Sequence, residues 1–81
     1  MNRIKQGATE NDVVNILSDI LEKKHSFNST DLLNHLEKIK SPFVTRNGKS
    51  GRVLNKNIIT HLKQSFPMME YDKNEKNWFL T

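Results

Sequence analysis

With successive residues set about 100° apart, Leu54, Ile58, Ile59, Leu62 and Phe66 fall on one stripe, and Pro67 stands directly after it. That is the period of an amphipathic helix with one buried face, and Pro67 is where it must stop. Beyond Pro67 the pattern changes to two short apolar, aromatic runs, Met68 to Tyr71 and Trp78 to Leu80. A wholly polar stretch from Asp72 to Asn77 separates them, so the spacing predicts a two-stranded hairpin with an exposed tip. By alternation Met69 and Tyr71 share one face, as do Trp78 and Leu80, with Phe79 turned away. Trp78 is therefore expected as a core or semi-core residue, against the first and third helices, rather than as a base-stacking one.

Two more helices are legible upstream. Thr9, followed three residues later by Asp12, resembles a capping box ahead of Val13, Val14, Ile16, Leu17, Ile20 and Leu21, and the helix is predicted to run to about Lys24. Lys23, Lys24 and His25 then suit the negative end of its macrodipole. Ser26-Phe27-Asn28 offers a short extended segment. Asn28 or Ser29 caps a second helix with Leu32, Leu33, Leu36 and Ile39 on its apolar stripe, ended by Ser41-Pro42. His35 lies beside that stripe and reads as a satisfied, partly buried group rather than a metal ligand. Residues 1–8 carry one apolar side chain beyond Met1 and a Gly near their end, and are expected as a flexible arm whose Arg3 and Lys5 can reach a phosphate. From Phe43 to Val53, Asn47-Gly48 is a strong turn signal, compatible with a small hairpin or a loose loop.

The outward face of the third helix and the loop before it carry the chemistry. Lys56, Asn57, Thr60, Lys63 and Gln64 lie opposite the apolar stripe, with His61 at the edge. Lysines hold phosphates by charge, whereas Asn, Gln and Thr can pair with base edges. From Lys38 to Met69 the chain has seven cations and no acid, while the other six cations and nine acids sum to −3. The formal net charge of +4 understates that segregation. A patch of this kind attracts a polyanion and releases its counterions, so nucleic acid is the leading partner class. In the loop, Arg46, Lys49 and Arg52 are expected to meet phosphate. The letters Gly48-Lys49-Ser50 do not make a nucleotide-binding loop, because the required earlier glycine is replaced by Phe43.

What remains is set by size and composition. The chain has 81 residues and reads as one domain, which at this size buries only about 60% or a little more of its unfolded surface. It contains no cysteine, so disulfides, thiolate nucleophiles and thiolate metal sites are excluded together. With no apolar run near the roughly 20 residues a bilayer needs, a soluble, cytoplasmic or nucleoid-associated protein with no membrane partner is expected. No cofactor and no metal are expected. The acids fall in helix caps, on the first helix or at the hairpin tip, and no Ser and His pair stands at motif spacing, so the chain is read as not an enzyme.

The order helix, strand, helix, helix, strand, loop, strand, with NKNIITHLKQSF in the third helix and WFLT in the last strand, resembles a winged helix-turn-helix DNA-binding domain over Thr9 to Thr81. The resemblance implies an α+β fold, a small winged helix domain over residues 9–81 with three helices and a C-terminal β-hairpin wing. It also implies that the third helix enters the major groove through Lys56, Asn57, Thr60 and Gln64, and that the wing touches DNA through Lys73 and Lys76. One departure stands out: about a dozen residues join the second and third helices where three or four are usual. The expected function is non-catalytic binding of duplex DNA, as a transcription regulator or an accessory factor of replication or of a mobile element. Binding of single-stranded DNA or RNA is the alternative, with Phe43, Tyr71, Trp78 or above all Phe79 as stacking platforms. A protein-interaction adaptor within a larger complex is the third reading.

Overall fold

The computed structural model describes residues 4–48 and 51–81. In chain order it forms α1 (Glu10–Lys24), β1 (Ser26–Asn28), α2 (Ser29–Lys38), β2 (Val44–Asn47), β3 (Gly51–Leu54), α3 (Lys56–Ser65), β4 (Met69–Asp72) and β5 (Asn77–Leu80). The fold is α+β, and its strands make two separate sheets, one ordered β1-β5-β4 and one a β2-β3 hairpin, all neighbours antiparallel.

The caps follow from local chemistry. The Thr9 hydroxyl accepts the Asp12 backbone N–H at 3.2 Å and the Asp12 carboxylate accepts the Thr9 N–H at 3.0 Å, closing a reciprocal capping box at the start of α1. The Thr9 backbone N–H, and then its hydroxyl, hold the Asp12 carboxyl below its ordinary range. A depressed carboxyl contributes stability at pH values above its unfolded pKa, and that contribution is lost as pH falls through the folded one. Asn28, one of the two residues expected to do so, caps α2 by accepting the Asp31 N–H at 2.9 Å. At the far end of α2, Lys40 takes a left-handed φ of 56° and donates its N–H to Glu37 O, while Ser41 donates to Leu36 O. Those two bonds are a Schellman cap, so α2 closes on its own carbonyls before Pro42 is reached.

The core is built from the apolar stripes: Val13, Leu17 and Leu21 of α1, Leu32, Leu33 and Leu36 of α2, and Ile58 and Leu62 of α3, closed by Phe27, Leu54 and Met69. Two expectations need correction. Residues 4–8 are not a loose arm, because Ile4 is buried in the core at 2% exposure and its carbonyl accepts the His35 Nε2–H at 2.7 Å. Leu54 ends β3 rather than opening α3, so the helix begins two residues later, at Lys56. Of the two forms open to the segment before it, the hairpin is the one adopted: Val44 pairs with Leu54, Thr45 with Val53, Arg46 with Arg52 and Asn47 with Gly51, and Gly51 carries a positive φ of 71°. Trp78 is half-buried and packs against the core, the semi-core position open to it, while Phe27 and Met69 are the buried residues on that face of the sheet.

The register sets the depth of Trp78. Phe27 lies opposite Trp78, and Trp78 lies opposite Tyr71, so the three aromatics form one row across the sheet. Exposure rises along it, from 4% at Phe27 through Trp78 to 40% at Tyr71. β1 lies against α1, and β4 lies at the outer edge. The row therefore begins in the core and ends in solvent.

Candidate nucleic-acid interface

Helix α3 presents the face that its sequence foretold. Asn55 caps it by accepting the Asn57 backbone N–H at 2.8 Å, and the first turn contains no acid, so Lys56 adds to the positive end of the helix dipole. Lys56, Asn57, Thr60, His61, Lys63 and Gln64 are all exposed. Thr60 differs in one respect: its hydroxyl donates to Lys56 O at 2.9 Å, so its proton is used within the helix and it can offer a ligand only an acceptor. His61 stands 3.7 Å from Glu10, linking the edge of this face to α1.

The hairpin arginines are differently disposed. Arg46 and Arg52 sit directly opposite each other on β2 and β3, a like-charge pairing that would ordinarily destabilise the ladder. Glu37, in the last turn of α2, resolves it by accepting from Arg46 Nη2 at 2.7 Å and from Arg52 Nη1 at 3.0 Å. The acid-free run of sequence is thus not acid-free in space, since Glu37 stands one residue outside it and folds onto it. Arg46 remains 75% exposed and available, whereas Arg52 is held at 28%. Lys49 lies outside the described residues, as does Arg3.

Replacing Glu37 by Gln removes the shared charge while keeping the shape. The expected result is a loss of about 1 kcal/mol of stability, given how exposed the Arg46 bond is. The same variant should bind any DNA more tightly at low salt, because the patch gains one unit of positive charge. Thermal melting and fluorescence anisotropy read the two effects, and unchanged affinity would show that the hairpin does not face the ligand.

At the tip of the β4-β5 hairpin, Lys73 and Lys76 are exposed, but Asp72 and Glu75 alternate with them, so the tip is neutral overall. Asp72 turns the chain by accepting the N–H groups of Asn74 and Glu75, and Lys76 takes a φ of 54°. The tip is tied back to the start of α2: Ser29 donates its N–H to Lys76 O at 2.7 Å and Asn28 Nδ2 donates to Asn77 Oδ1 at 2.9 Å. Lys73 and Arg52 line the same cleft, of about 460 Å³, with Tyr71 and Trp78 in its wall. The candidate residues therefore gather in two places, the outward face of α3 and a cleft where the β2-β3 hairpin meets the β4-β5 hairpin.

Sequence reasoning undervalued Tyr71 among the aromatics. Phe79 is half-buried, opposite Ser26 and Glu70, and Tyr71 is the aromatic that reaches solvent. Its ring lies 4.9 Å from that of Trp78 at a 47° tilt, and Lys63 Nζ stands 6.0 Å from the Trp78 ring. The alternation in β4 and β5 already put Tyr71 and Trp78 on neighbouring positions; what it lacked was the third strand that showed which end of the row is buried. Among the described residues, no helix is long and apolar enough to cross a membrane. No protein-family model, curated protein or solved structure matches the chain.

Proposed function

We propose that this chain is a small winged helix domain that binds duplex DNA without catalysing a reaction, serving as a regulator or as an accessory factor in replication or of a mobile element. The observation that carries the reading is α3: five exposed side chains, Lys56, Asn57, Thr60, Lys63 and Gln64, on a helix with no acidic residue. Two cations there hold phosphates and two amides offer the paired donor and acceptor that suits a base edge. The order of strands supports the domain type, because a strand between the first two helices pairs with the last strand of a terminal hairpin. The β2-β3 hairpin is an addition between α2 and α3, latched to α2 by Glu37. In this reading it serves as a second backbone contact, chiefly through Arg46. The wing contributes Lys73 and Lys76, with Lys73 beside Arg52.

Fluorescence anisotropy with a mixed-sequence duplex and its separated strands, at two salt concentrations, tests this. Duplex should bind more tightly than single strand. The logarithm of the association constant should fall with the logarithm of salt by about 0.9 for each phosphate neutralised. With Lys56, Lys63, Arg46 and Lys73 each engaging one phosphate, a slope on the order of −3 to −4 is expected. Binding that is absent at low salt, or indifferent to salt, would overturn the reading.

A further inference from the structure

We infer that the cleft between the inserted hairpin and the wing takes an unpaired nucleobase, so that the domain prefers duplex carrying a single-stranded tail over blunt duplex. Three observations carry this. Tyr71 is the exposed end of a row of aromatics anchored in the core by Phe27, which gives a fixed platform with one ring open to solvent. Stacking on such a ring is tolerant of base identity, because every base has a π-face. The second observation is charge: Lys73 and Arg52, the latter also bonded to Glu37, line the cleft beside Tyr71 and Trp78, Val53 and Ile59 line its apolar part, and no acidic residue is among its lining residues. A base with its phosphate meets an apolar, aromatic surface flanked by cations, which is how single strands are held. Its volume of about 460 Å³ lies within the roughly 300–1,000 Å³ of sites that take small ligands.

The third observation is position. Lys63 belongs to the outward face of α3 and also stands at the Trp78 ring, so the helix face and the aromatic wall share a border. Lys63, Tyr71 and Trp78 line a hollow next to the cleft, together with Glu70 and Asp72, so an unpaired strand leaving a duplex laid on α3 reaches Tyr71 by keeping to the Lys63 side of that hollow. A rigid, fully paired duplex cannot place a base there, because its bases are stacked inside. The inference rests on the proposed duplex binding for its paired arm and on the cleft alone for its unpaired arm, and the two can fail separately.

Trp78 is the only tryptophan, so its emission reports on the cleft without a label. The probes are a blunt duplex, the same duplex with a thymidine tail, and the oligothymidine tail alone. Tailed duplex should bind more tightly than blunt duplex and should alter Trp78 emission where blunt duplex does not. Tyr71→Ala should weaken the tailed complex by about fivefold to a hundredfold, towards the affinity for blunt duplex, which should not change. Tyr71→Phe retains the ring and should retain the preference. The inference is overturned if the tail changes neither affinity nor emission, or if Tyr71→Ala weakens blunt and tailed duplex equally. Oligothymidine binding with altered emission, in the absence of any blunt-duplex binding, would keep the cleft and remove the duplex reading. Blunt duplex bound alone, with no effect of the tail, would do the reverse.

Discussion

Ile4→Ala is expected to lower the unfolding free energy by about 2–5 kcal/mol, the range for truncating a fully buried aliphatic side chain. A domain of this length has on the order of 4–12 kcal/mol in all, so the loss is large enough to move the melting transition by many degrees. Ile4 is 2% exposed in the shared core, and its carbonyl accepts the proton on His35 Nε2 at 2.7 Å. A carbonyl only accepts, so Nε2 carries a proton, and both the neutral and the charged ring can make this bond. Between Ile4 and the cap of α1 the chain turns on the Ala8 N–H to Lys5 O bond, with Gly7 at a φ of 85°. A side chain at that φ is strained, so the approach of Ile4 to the core depends on glycine there. His35→Ala should cost about 1 kcal/mol by removing the donor, and a double-mutant cycle with Ile4→Ala should show coupling, since both act on one attachment. Melting of Ile4→Ala at the wild-type temperature would detach residues 4–8 from the folded unit.

That attachment also shows what a single sequence can and cannot reveal. The three helices were legible because their apolar residues repeat at helix period and their caps are written in adjacent residues: Thr9 with Asp12, Asn28 with Asp31. The terminal hairpin was legible from alternation on either side of a polar tip. Ile4 was not, because one apolar residue among polar ones has no period, and its burial depends on a donor 31 positions away. The same holds for Glu37, whose partners Arg46 and Arg52 lie 9 and 15 residues downstream on strands whose pairing was undecided. Local periodicity located the outward face of α3, and so most of the candidate site. For a related reason Trp78 was legible only as core or semi-core: alternation assigns a face but not a depth, and the depth is set by β1, which places Phe27 at the interior edge.

The α3 variants should separate into two classes, and the separation is the sharpest test of groove reading. Asn57 and Gln64 lie about two turns apart on the exposed face, a separation that lets both reach the floor of one groove. Replacing either by Ala should cost roughly 1–3 kcal/mol on a preferred site selected from a randomised duplex pool, and little on random duplex. Lys56→Ala and Lys63→Ala should weaken binding to both, and each should reduce the salt slope by about one, because a phosphate contact is indifferent to the base beside it. Thr60→Ala should matter less than either amide, since its hydroxyl proton is already given to Lys56 O and only an acceptor is lost. The β2-β3 hairpin is a steric element here: it stands immediately before α3, with Asn55 N–H bound to Phe43 O at 2.8 Å, so helix and hairpin approach a duplex together. If the hairpin meets the backbone first and holds the helix above the groove, the selection will return no enriched site and the amide variants will bind random duplex and selected site alike. In that event the lysine effects would persist, and the protein would be a reader of backbone alone.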